Sequence, residues 1–256
     1  MGKRGLVWES IYTQKNKWLL DWFGKKAYAE YKKWINEDDK KILDAGFGSG
    51  RFCIAMAGDF PGSEIYGIDV STDLVENANK LASSLQLQNV RFKKDNIFDL
   101  SFPDNHFDVV FNEGVIEHFR NHEDAFREMH RVTKKKGTII VGVPNWYNFP
   151  HTIRKWCIDK LNGEYEYGYE KSFKHSELIE LFRKYNLQNI EMTGYYSMQS
   201  IIRLSGFGRF SKLVLFSGVD IWGKLVERLV ISPVDWLTDN GFSRKFGFEI
   251  VIKGVK

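Results

Sequence analysis

The sequence predicts an α/β fold built on a mainly parallel sheet, and three observations carry that prediction. Between Lys41 and about Asn145, short β-type runs alternate with helical stretches at the spacing of strand–helix–strand units with right-handed crossovers. A glycine-rich turn, Gly46-Phe47-Gly48-Ser49-Gly50, separates the first strand from the first helix of that series. Phe107 to Asn112 is apolar on both faces, as a central parallel strand covered by helices must be.

Three zones follow within a single domain of residues 1–256. Residues 1–38 read as helical, with Trp8, Ile11, Tyr12, Trp18, Leu19, Trp22 and Phe23 near helical spacing. Gly24 is expected to split this zone, the second helix running through Tyr28, Tyr31 and Trp34 to Ile35. In the core, 41–143, strands are expected at Lys41–Asp44, Glu64–Ile68, Asn89–Lys93, Phe107–Asn112 and Thr138–Val143. The intervening helices are Arg51–Ala57, Ser71–Leu85 and Glu123–Arg131, with a turn at Lys134–Gly137. Ser71 or Thr72 caps the second of these helices, and Asp73 and Glu76 lie in its first turn. The third zone, 146–256, is less regular: a helix at His175–Tyr185, strands at Asn189–Tyr195 and Phe246–Lys253, and an insertion at about 200–242. There Leu215, Val219, Trp222, Val226 and Leu229 form an amphipathic stripe. It covers an apolar substrate pocket, forms a homodimer contact, or touches a membrane surface.

Composition narrows the function. The net charge of +4 is spread over short groups such as Lys25-Lys26 and Lys134-Lys135-Lys136, which suits solvated faces; no nucleic-acid partner is expected. Cys53 and Cys157 fit no metal or redox spacing and read as buried small hydrophobes in a reducing compartment, so no metal is expected. The charged Met1–Gly5 has no apolar run after it, and no stretch of about twenty uncharged apolar residues exists. The expected location is cytoplasmic.

A glycine turn after a strand lets a ligand approach the backbone, and the next helix points its amides at that ligand. The spacing is G-x-G-x-G, with Arg51 where a dinucleotide fingerprint has its third glycine. Asp44, just before the turn, would repel a pyrophosphate. Asp69 ends the second strand about twenty residues on, where a carboxylate can take both hydroxyls of a ribose.

These residues resemble the class I S-adenosylmethionine-dependent methyltransferases, particularly the branch acting on quinones and other small metabolites. Leu43 to Gly50 looks like that family's first motif and Tyr66 to Ser71 like its second. Lys94-Asp95-Asn96-Ile97 resembles the adenine-cradling segment, Phe107 to His118 the fourth motif, and Arg131 to Ile140 the helix-turn-strand after it. The resemblance covers about two-fifths of the chain. It implies a Rossmann-like, doubly wound, seven-stranded sheet ending in an antiparallel hairpin, supplied here by residues 189–195 and 246–253.

It also implies S-adenosyl-L-methionine as cofactor, bound through Asp44, Ala45, Gly46, Gly48, Gly50, Asp69, Val70, Asp95, Asn96, Ile97, Asn112 and Glu113. Methyl transfer from a sulfonium asks the protein mainly for orientation and a dry pocket, with a base for a protonated O, C or N nucleophile. His118, after the fourth strand, is the candidate base; otherwise it shapes the pocket or caps a helix. Glu117 either orients His118 or, in the favoured reading, faces solvent. His106, His122, His130 and His151 read as surface or loop residues, and His175 as capping chemistry. Asn145, Trp146 and Tyr147 are either substrate contacts or loop packing, and Trp8, Tyr12 and Trp18 either a lid or a packed helix. The acceptor would be a small, in one reading apolar, metabolite. The competing functions are a non-catalytic cofactor-binding or scaffold protein, a nicotinamide-dependent oxidoreductase, and an RNA methyltransferase. The turn Asn112-Glu113-Gly114-Val115 lacks the Asn/Asp-Pro-Pro-aromatic pattern that base-amino methylation uses in this family.

Overall fold

A computed structural model of the chain describes residues 22–161, 168–195 and 242–256. The strands are β1 (Lys41–Ala45), β2 (Glu64–Asp69), β3 (Val90–Lys94), β4 (Phe107–Glu113), β5 (Thr133–Pro144), β6 (Gln188–Tyr195) and β7 (Glu249–Val255). They form one sheet in the order β3-β2-β1-β4-β5-β7-β6. The first five pair in parallel, whereas β7 runs antiparallel to both β5 and β6. The helices are α1 (Trp22–Lys32), α2 (Arg51–Asp59), α3 (Thr72–Ser84), α4 (His122–Val132), α5 (Phe149–Leu161), α6 (His175–Lys184) and α7 (Phe242–Phe246). The expected parallel core and C-terminal hairpin are therefore both present.

Apolar side chains from the two sheet faces make two cores. One gathers Tyr31, Phe52, Met56, Ala78, Phe92 and Phe111 under α1, α2 and α3. The other gathers Phe107, Phe126, Met129, Leu178, Phe182 and Ile252 under α4 and α6. β4 is buried at five of seven positions, which explains its apolar character on both faces. α3 starts where the Ser71 hydroxyl accepts the Leu74 N–H at 3.3 Å.

Several local expectations need correction. Gly24 does not break a helix: α1 runs through it, and the residue is buried. Glycine costs a helix about 1 kcal/mol, a penalty outweighed by burying Ala27, Tyr28 and Tyr31 on the sheet. α1 ends at Lys32, short of Ile35. Lys134–Gly137 is not a free turn but a bulged stretch inside β5, where pairing jumps from Phe107–Thr133 to Val109–Thr138. Lys136 there is left-handed at φ 67°, and its N–H donates to the Lys256 carbonyl. Cys157 is only half-buried, whereas Cys53 is buried as expected. α5 was not anticipated, although Asn148-Phe149-Pro150 carries a start signal. Asn148 Oδ1 accepts the His151 N–H at 3.1 Å, and proline tolerates a first helical turn. The proposed lid of Trp8, Tyr12 and Trp18, and the stripe from Leu215 to Leu229, lie outside the described residues. Among the described residues no helix is long and apolar enough to cross a membrane.

Candidate active site

Parallel pairing brings the carboxyl ends of β1, β2, β3 and β4 to one edge, where an open α/β sheet binds its ligands. The glycine turn folds back over that edge. Gly46 and Phe47 N–H groups donate to the Ile68 carbonyl at 2.9 and 3.0 Å, and the Gly48 N–H donates to Asp69 Oδ2 at 3.1 Å. Gly46 sits at φ 104°, and a Cβ on it would stand 2.6 Å from Val115 Cγ2. Only glycine fits there without moving the loop after β4.

A cavity opens at this edge. Gly46 and Gly48 line it from the turn, Asp69 and Val70 from the end of β2, Asp95 and Ile97 from the loop after β3, and Glu113 and His118 from the loop after β4. Asp69 also accepts the Ser71 N–H at 3.0 Å, so its carboxylate ties the glycine turn to the start of α3. Asp95 accepts from the Asn96 and Ser101 N–H groups at 2.9 and 3.1 Å, which pins the adjoining loop.

Five residues of the expected cofactor set do not line this cavity. Ala45, the last residue of β1, and Gly50 of the turn are both buried, and Asn96 Oδ1 accepts the N–H of Phe98 in its own loop. Asp44 is buried, with the Cys53 thiol donating to Oδ2 at 3.5 Å, and burial pushes its carboxyl well above the ordinary range. Asn112 turns its amide onto Met129 Sδ at 3.3 Å, while its carbonyl accepts the Tyr31 hydroxyl at 3.1 Å. Conversely, sequence reasoning overlooked Leu74, Gly114, Val115 and Phe119, which also line the cavity. The signal was available for Val115 and Phe119, an i, i+4 apolar pair bracketing His118.

His118 ends a 3-10 turn, Ile116–His118. Its Nδ1 lies 2.9 Å from the Tyr169 carbonyl, which can only accept, so Nδ1 carries a proton and donates it. Nε2 is 3.6 Å from Glu117 Oε1. Glu117 does not face solvent: it is 2% exposed within the 3-10 turn. Burial, then the nearby Glu170, Glu249 and Glu113 carboxylates, push its pKa well up, and among the described residues Oε2 has no hydrogen-bond partner. His151 is likewise no surface residue; it is buried with Nε2 3.0 Å from the buried Glu170. His175 does not cap α6. Glu177 accepts the Lys174 N–H there, while the His175 ring packs on Tyr147 at 5.2 Å.

The Tyr195 hydroxyl bridges Glu113 Oε1, at 3.3 Å, and Glu249. Burial, then the Glu113 charge, lifts the Glu249 pKa to about 8. Between the ordinary carboxylate range and pH 8 the folded chain thus holds a proton that the unfolded chain has lost. Stability contributed this way is complete below about pH 4.5 and disappears as pH rises through 8. Thermal unfolding at pH 6 and pH 9 should show a fall in stability for the wild type. Glu249→Gln should flatten it by about 1–2 kcal/mol; an unchanged slope contradicts the assignment.

Asn145, read from the sequence as either a substrate contact or loop packing, spends its whole side chain on the backbone, as the packing reading has it. Its amide donates to the Lys245 and Gly247 carbonyls at 3.1 and 2.9 Å, and Oδ1 accepts the Tyr147 N–H at 3.0 Å. Asn145→Ala should therefore cost about 2–4 kcal/mol of stability, by strandling buried carbonyls, with little change in cofactor affinity. Denaturant unfolding and a binding titration check both halves. Trp146, 42% exposed, and Tyr169 line a separate surface groove with Glu170.

A seven-stranded sheet with an antiparallel β7, a glycine turn over its edge and an acid ending β2 define a class I S-adenosylmethionine-dependent methyltransferase. The chain belongs to this family: residues 36–190 match the model described as a methyltransferase domain. It is 31% identical over 103 residues to an uncharacterized methyltransferase of Bacillus subtilis, a match spanning 40% of each chain. It is 27% identical to the demethylmenaquinone methyltransferase of a Geobacillus species, across 61% of this chain and 74% of the relative. Among solved structures, a phosphoethanolamine N-methyltransferase of Haemonchus contortus bound to S-adenosyl-L-methionine superposes with a TM-score of 0.63. That match is 17% identical and covers 98% of this chain and 56% of that one, which speaks for the fold.

Proposed function

We propose that this chain methylates a small molecule at a nucleophilic O, C or N atom, using S-adenosyl-L-methionine held in the cavity at the β1–β4 edge. The observation that carries this reading is the Asp69 carboxylate, which faces the cavity while bonded to the Gly48 N–H of the turn. The residues present fit the cofactor. Gly46 and Gly48 bring bare turn backbone to the cavity wall, Asp69 suits a ribose diol, Asp95 and Ile97 suit a purine, and Glu113 suits an ammonium. When bound, the cofactor supplies an activated methyl on a sulfonium.

The protein's own part is orientation, exclusion of water and proton removal. His118 presents a basic Nε2, its other nitrogen fixed by the Tyr169 carbonyl. Relatives named for demethylmenaquinone and for phosphoethanolamine nitrogen span quinones and amines, so the names alone do not choose the acceptor. The test is a screen of acceptors scored by S-adenosylhomocysteine release, repeated with His118→Asn. A drop in turnover of about a hundredfold or more, with unchanged S-adenosylhomocysteine affinity, supports the base role. Equal turnover removes it.

A further inference from the structure

Four carboxylates gather behind the loop that follows β4. Glu113 lines the cavity, and Tyr195 bridges it to Glu249. Glu117 is flanked by two residues that line the same cavity. Its Oε1 is 3.6 Å from His118 Nε2, and 3.6 Å from where a side chain on Gly114 would begin. Glu170 is the carboxylate that acts most strongly on Glu117, and it faces the neighbouring groove bounded by Trp146 and Tyr169. The Lys171 N–H donates to the Glu117 carbonyl at 2.9 Å, which holds the segment bearing Glu170 against the turn that carries Glu117 and His118.

Positive charge here is sparse. The ion pairs of these carboxylates among the described residues are Arg51 with Glu113 at 3.8 Å, His118 with Glu117 at 3.6 Å, and His151 with Glu170 at 3.0 Å. Lys171 turns outward to Glu177 at 3.0 Å. Among the described residues the buried Glu117 Oε2 finds no hydrogen-bond partner, so its charged form, which burial already disfavours, is costly unless a cation or donor reaches it.

We propose that the acceptor is an amine that enters as its ammonium ion and is recognised by the Glu117–His118 pair. This rests on the methyltransferase reading above and narrows it to nitrogen. A phenol or enol would develop negative charge inside an acidic cluster that already resists ionising, whereas an ammonium stabilises the ionised form of Glu117 that burial opposes. One N–H proton passes from the ammonium to His118 Nε2 or Glu117, leaving a neutral amine with a free lone pair. That proton leaves to solvent after turnover.

The experiment is calorimetric titration of the S-adenosylhomocysteine-loaded full chain with matched amine and hydroxyl compounds: benzylamine and benzyl alcohol, tyramine and its alcohol analogue, octylamine and octanol. At least one amine should bind about tenfold or more tighter than its partner, a difference of about 1.4 kcal/mol. Glu117→Gln should bring that pair within about twofold, and Glu170→Gln should lessen the preference without abolishing it. Amines that never exceed their hydroxyl partners overturn the proposal, as does a preference that survives in Glu117→Gln. Failure of the wild type to bind S-adenosylhomocysteine at all is a separate result, which removes the methyltransferase reading instead.

Discussion

Asp69→Ala should weaken S-adenosylhomocysteine binding by about a hundredfold, while the protein stays folded. The carboxylate has two tasks at once. It accepts the Gly48 and Ser71 N–H groups at 3.1 and 3.0 Å, and it presents its charge to the cavity. Removing it loosens the glycine turn and deletes the acceptor for a ribose diol. Hydrogen bonds to a charged group contribute about 1.5–3 kcal/mol each, so losing the ligand contacts alone accounts for one to two orders of magnitude. Asp69→Asn keeps one acceptor oxygen and should lose about tenfold. Titration calorimetry checks the affinities, and thermal unfolding confirms that both variants fold. Wild-type affinity in Asp69→Ala would separate this residue from the cofactor.

Gly142→Ala should be the most damaging single-atom change in the sheet. Gly142 lies in β5 opposite Val251 of β7, and a Cβ there would fall 1.8 Å from the Tyr31 hydroxyl oxygen. That hydroxyl is wholly buried and donates to the Asn112 carbonyl at 3.1 Å, docking α1 on the sheet. The methyl must push Tyr31 out of its site, losing the bond and disturbing its ring contacts with Phe52 and Phe111. Overpacking and the stranded bond together should cost about 3 kcal/mol or more. Tyr31→Phe removes the clashing oxygen and by itself should cost about 1 kcal/mol. In the double variant Gly142→Ala/Tyr31→Phe the two costs should fall short of their sum, the signature of direct contact. Denaturant unfolding of the four proteins closes this cycle, and strict additivity would contradict it.

What the sequence revealed depended on how local the cause was. β1, β2 and β4 were legible because their apolar runs are punctuated by glycines and acids within a few residues: Leu43-Asp44 before Gly46, Ile68-Asp69 before Ser71. The turn itself was legible because its backbone conformation demands glycine at fixed positions. Burial of Glu117 was not, since it depends on segments far along the chain that only the fold brings close, such as the one whose Lys171 N–H donates to the Glu117 carbonyl. The His151–Glu170 pair hid for the same reason, being joined across α5 and the loop before α6. Gly24 misled because a helix breaker in isolation is tolerated where the sheet buries its helix. Asn145 sat at the right edge, but its amide was claimed by carbonyls 100 residues on.

The most direct test of the central claim is calorimetric titration of the wild-type chain with S-adenosylhomocysteine, with NAD titrated in parallel. The account predicts micromolar, one-to-one binding of the adenosyl ligand and none of NAD. No binding of S-adenosylhomocysteine by folded protein, or comparable binding of NAD, would contradict it.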